Sequence, residues 1–130
     1  MQLNMQNIGG VPQNLSGGDN TIVTGPMGDC VSVVVLWNFV GAGYTHTRGW
    51  HGLGGVQAVD MAAMMAGVPN NVLTQVILIP GSLQQSNYAR NSILEYVDNA
   101  IAGTHPAVMT RFVAGRSNVS VNRQSQIANA

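Results

Sequence analysis

The chain has 130 residues, only 8% of them charged against a 45% hydrophobic share, and a formal net charge of zero. That length suits a single domain, and the hydrophobic share is enough for a sizeable core and rules out disorder by composition. The neutral balance excludes nucleic acid as an expected partner, and no run approaches the ~20 apolar residues that span a bilayer, so no membrane partner is expected either.

Met1 to Gly10 lacks the basic start and apolar stretch of a Sec-type signal peptide. Residues 1–20, rich in Asn, Gln and Gly, read as a flexible lead-in. One domain is expected over residues 21–123, followed by a polar tail over 124–130. Thr21 to Thr24 is a short strand, and Gly25, Pro26 and Gly28 then mark a tight turn. Cys30 to Trp37 is continuous, β-branched and without a helical stripe, which predicts a buried strand. Phe39 to Gly43 turns the chain, Tyr44 to Thr47 is a short strand, and Gly49 to Gly55 is a glycine-rich loop carrying Trp50 and His51.

Val56 to Ala66 is rich in Ala and Met, which favour helix, and Gly67 and Pro69 stop it. Its apolar character nearly all round predicts a buried helix, with Met61, Met64 and Met65 in the core. Val72 to Ile79 is a second buried strand, and Ser86 to Ala102, with Ile93, Leu94, Val97 and Ile101 at helical spacing, is a second helix. His105-Pro106 is a turn, and the segments 107–114 and 118–122 close the fold as strands. The expected class is α+β: one domain with a central β-sheet or sandwich core flanked by two helices.

The single cysteine excludes an internal disulfide. It stands where a turn enters a strand, beside the backbone amides of Gly28, Asp29 and Cys30, which can cradle an oxyanion. Pairing through the 38–43 connection brings His46 level with Cys30, giving a nucleophile and a base. His51 is the alternative base, in a glycine loop that fixes its position less. Asp29 would raise the pKa of a neighbouring thiol, which counts against its facing the sulfur. Cys30, His46 and His51 together suit zinc chemically but lack tight ligand spacing and a second cysteine, so no metal is expected. A papain-like protease would place its cysteine at a helix N-terminus, unlike the strand context here. The competing class is a non-catalytic β-rich binding or assembly protein in which Cys30 is inert and buried.

The arrangement Thr24-x5-Cys30-x15-His46 resembles the glutamine deamidases related to the chemotaxis deamidase CheD and the catalytic domain of cytotoxic necrotizing factor. In that superfamily a Thr lies six residues before a Cys that opens an apolar strand. A short Gly-containing motif precedes the Cys, here Met27-Gly28-Asp29-Cys30, with Asp29 where a small residue is usual. The His follows on the next strand. The likeness covers about the first third of the chain. It implies Cys30 as nucleophile, His46 as base and Thr24 as the orienting third member. It also implies a bacterial protein that deamidates, or transglutaminates, a reactive glutamine of a protein substrate without a cofactor. Such a protein works in the bacterial cytoplasm or as an effector or toxin inside a host cell. All five basic residues are Arg and none is Lys. Lysine is the site of ubiquitin attachment, so this suits an effector in a eukaryotic cytosol, and composition drift accounts for it equally well.

Overall fold

The computed structural model describes residues 1–53, 56–81, 105, 107–113 and 118–130. The centre is a hairpin of two ten-residue strands. The first, Val31–Val40, we label β4, and the second, Gly43–Gly52, β5. Ahead of them come β1 (Met5–Gln6), β2 (Gln13–Asn14) and β3 (Thr21–Val23). After them come α1 (Ala58–Met65), β6 (Thr74–Pro80), β7 (Val108–Phe112), β8 (Val119–Asn122) and β9 (Ile127–Asn129).

The larger sheet has the order β1-β5-β4-β6-β7, with β2 also on β5, and a second sheet has the order β3-β8-β9. The β4 strand lies between β5 and β6 and carries a continuous apolar run, as expected of a strand covered on both faces. Alternation then sorts its side chains. Val31, Val33, Val35 and Trp37 face α1 with Trp50, Met61, Met64 and Met65. Cys30, Val34 and Leu36 face the smaller sheet with Ile22, Val119 and Val121. Among the described residues the architecture is therefore three layers: one helix, a six-stranded sheet and a three-stranded sheet.

The fold is mostly β with one helix among the described residues, and the helix expected over 86–102 lies outside them. The helix α1 is buried on one side only, through Asp60, Met61, Met64 and Met65, while Val59 is exposed. The expected all-round burial does not hold, since Ala58, Val59 and Ala62 are exposed. The lead-in is not irregular: Leu3 and Leu15 are buried, β1 and β2 pair with β5, and the chain rejoins the core at Leu3 N–H to Val23 O, 2.9 Å. The polar tail holds β9, paired with β8. The glycine-rich loop expected from Gly49 is instead strand as far as Gly52. A side chain at Gly49 would strike Leu3, and one at Gly52 would strike the Trp50 ring, so these glycines serve close packing rather than a turn. No helix among the described residues is long and apolar enough to cross a membrane.

Candidate active site

Chain direction reverses between β3 and β4 in the turn 24–29. Gly25 sits at φ +79, a conformation that Gly adopts without strain. The end of β6 clamps this turn: Gly81 N–H donates to Cys30 O at 2.9 Å, and a Cβ at Gly81 would overlap the Gly28 carbonyl. Cys30 is thus fixed one residue before β4, only 7% exposed, in the layer between the sheets. Its Sγ lies 3.8 Å from Met5 Sδ. Burial raises the thiol pKa, and the charge of neighbouring Asp29 raises it further. At rest near neutral pH the sulfur is therefore protonated, and attack requires a base to take the proton.

The histidine that the fold brings to this end of the sheet is His51. It pairs with Ser32 across the hairpin, so alternation puts it on the face that carries Ser32 and Cys30. His51 is 4% exposed, and its Nδ1 lies 2.9 Å from the main-chain oxygen of Thr24. A carbonyl only accepts, so Nδ1 carries the hydrogen and Nε2 presents its lone pair. Among the described residues that buried Nε2 has no hydrogen-bond partner. Burial lowers the His51 pKa, and the Thr24 contact offsets part of the effect. A neutral imidazole with an oriented, unengaged Nε2 has the form a general base requires.

Thr24 orients a histidine through its backbone rather than its hydroxyl. The hydroxyl donates to Gly25 O at 2.9 Å and accepts from Val119 N–H at 3.1 Å, while Thr24 N–H donates to Val119 O. These contacts tie the end of β3 to β8 and aim the Thr24 carbonyl at His51. Ser32 points its hydroxyl at Met27 Sδ, 3.2 Å away. Gly28 and Asp29, expected to line an oxyanion hole, are exposed on the turn directly before Cys30.

His46 does not reach Cys30. It pairs with Trp37, seven residues along the strand from Cys30, a separation of about 23 Å at the usual rise per residue. It stacks on the Trp37 ring at 4.9 Å and is exposed, with Nδ1 2.8 Å from the Thr45 hydroxyl. Trp37 belongs to the helix side of the sheet, so His46 also sits on the face opposite the thiol. The expected pairing fails because the hairpin turns through Gly41 and Ala42 alone, which lengthens both strands and slides His46 to the far end. That two-residue turn was the signal for His51. His105 binds the Val68 carbonyl through Nε2 at 2.9 Å. Among the described residues no cluster of three His, Cys, Asp or Glu side chains could hold a metal.

Met5 is the site residue that composition concealed. The alternation of Leu3 and Met5 with polar neighbours was its signal, a period of two inside a segment otherwise dominated by Asn, Gln and Gly. No protein-family model matches the chain, and no curated protein matches it.

Proposed function

We propose that the protein is a cysteine-dependent protein-glutamine amidohydrolase, with Cys30 as nucleophile, His51 as base and the Thr24 carbonyl as the group that orients the imidazole. The observation that carries this reading is the buried Nε2 of His51, without a hydrogen-bond partner among the described residues, on a ring that Thr24 holds through Nδ1 on the sheet face that bears Cys30. His51 Nε2 takes the thiol proton as Cys30 Sγ bonds to the carboxamide carbon of a substrate glutamine. Backbone amides of the 28–30 turn stabilise the oxyanion. The C–N bond breaks, the imidazolium returns its proton to the nitrogen, and ammonia leaves. Water, deprotonated by the same imidazole, cleaves the thioester and leaves glutamate and free thiol. An amine in place of water gives transglutamination. The Thr24-to-Cys30 part of the deamidase resemblance supports Cys30 as nucleophile, its histidine spacing belongs to His46 and does not carry over to His51, and the absence of lysine suits action inside a host cell.

One observation favours a non-catalytic binding protein: the thiol is almost fully buried and its pKa is raised, as for an inert core cysteine. Incubation of the protein and its Cys30→Ser variant with candidate lysates, read by peptide mass spectrometry, separates the two. The enzyme yields Gln-to-Glu changes of about +1 Da, the exchange of an amide for an acid, only with the intact thiol. Identical peptide patterns from both proteins would leave the binding protein as the reading.

A further inference from the structure

The thiol is covered by this chain's own first strand, and the way it is covered describes a substrate. β1 pairs in parallel with the edge of β5, Met5 with His51 and Gln6 with Gly52, and Leu53 N–H donates to Gln6 O at 3.0 Å. This lays the Met5 side chain on Cys30. Methionine and glutamine are both unbranched, and the methionine Sδ occupies the position, three bonds from Cα, of the glutamine carboxamide carbon. Its 3.8 Å separation from Sγ is close to the 3–3.5 Å, roughly, of a reactive approach.

Resting on the amidohydrolase reading, we infer that β1 lies in the substrate's place: an extended peptide pairs with β5 at His51–Gly52, and its glutamine takes the position Met5 holds. The substrate class is therefore a glutamine in an extended or locally unfolded segment, because a glutamine on a helix cannot supply the edge pairing. β1 is built to give way. Leu3 is buried on one side of it, and Gly9, at φ +81, is held by N–H to Asp60 Oδ1 at 2.8 Å on the other. Between these anchors Asn4, Met5, Asn7 and Ile8 are all exposed, Met5 at 60%. The 4–8 segment can lift as a loop while both anchors stay in place.

The test is the full chain carrying Met5→Gln. The thiol should attack that carboxamide in cis, release ammonia, and with water leave a carboxylate at position 5, a gain of about 1 Da. The conversion should be independent of protein concentration, absent when Cys30→Ser or His51→Ala is added, and should spare Gln2 and Gln6 as internal controls. An unchanged position 5 in a protein that still deamidates lysate glutamines through Cys30 overturns the inference and leaves the amidohydrolase reading standing. Failure on both counts removes both. Conversion that persists with Cys30→Ser is spontaneous and overturns the inference as well. A second arm needs no turnover. Met5→Ala should speed alkylation of Cys30 by iodoacetamide about tenfold, while Met5→Leu, of similar bulk, should not. Equal rates in all three proteins would show that Met5 does not cover the thiol.

Discussion

At the scale of single residues, the site depends on two groups whose proton equilibria the fold displaces away from charge. His51 is held neutral by burial, so its folded pKa lies below the ordinary imidazole value of about 6.5. As pH falls through that value the unfolded chain takes up a proton that the folded chain refuses, and stability falls with pH from about 7 downward until the folded pKa is passed. His51→Asn keeps a donor for the Thr24 carbonyl and should remove this acid-side loss, which thermal melts at pH 7 and pH 5 would detect; an unchanged difference between the two melts contradicts the assignment. Cys30 is displaced in the opposite sense, its thiol pKa raised by burial and by Asp29. Its alkylation should therefore be slow at pH 7 and climb above pH 9, and Asp29→Asn should move that climb toward lower pH. A rate that has already levelled off at neutral pH would show a thiolate that the burial does not predict. Cys30 and Thr24 were legible in the sequence as residues of a turn entering a strand. That His51 rather than His46 shares their end of the sheet was not, because it depends on one hairpin register.

At the scale of elements, the hairpin decides which histidine shares the face and end of the sheet that hold Cys30. Moving the turn to Gly41-Ala42 puts His51 rather than His46 at the thiol's end of the sheet, and a register step of one residue would turn His51 to the helix side. β4, β6 and α1 were legible because their apolar runs and their Gly or Pro stops are local signals. β5 beyond Thr47 was not, because Gly49 and Gly52 look like loop residues unless the packing of Leu3 and Trp50 against them is known. Gly52→Ala should accordingly unfold the hairpin or sharply lower the melting temperature, whereas Ala at a true loop glycine would be tolerated. The helix is tied down at both ends. Asp60, fully buried, accepts from Gln57 N–H at 3.0 Å and from Gly9 N–H at 2.8 Å. Asp60→Ala removes a helix cap and orphans two amides, a cost of about 1–3 kcal/mol in denaturant unfolding. Arg48 closes the other end, its Nη1 reaching the Met64 and Ala66 carbonyls at 2.9 and 2.7 Å while the guanidinium lies over Trp37. Arg48→Lys loses the planar fork and the stacking, and should cost about 1 kcal/mol by the same measurement.

At the scale of the whole molecule, the layers formed by the described residues explain why the proposed site lies at one end of the large sheet and not at the other. The small sheet packs on the face that holds Cys30 and His51, and Thr24, at its edge, is joined by hydrogen bonds to both layers. The opposite end of the hairpin, where His46 stacks on Trp37 and Phe39 meets Tyr44 edge-on, has no thiol within reach. A strand-rich fold with the helix α1 was readable from the succession of strand and helix signals, but the division of strands between two sheets was not, since β3 and β8 pair across about a hundred residues of chain. The most direct test of the account compares two substitutions in one deamidation assay, with Gln-to-Glu conversion followed by mass spectrometry. His51→Ala should lower the rate by about 10² to 10⁴-fold, the usual contribution of a positioned base, and His46→Ala should leave it within about twofold of the parent. The reverse pattern, activity lost with His46 and kept without His51, would contradict the site described above.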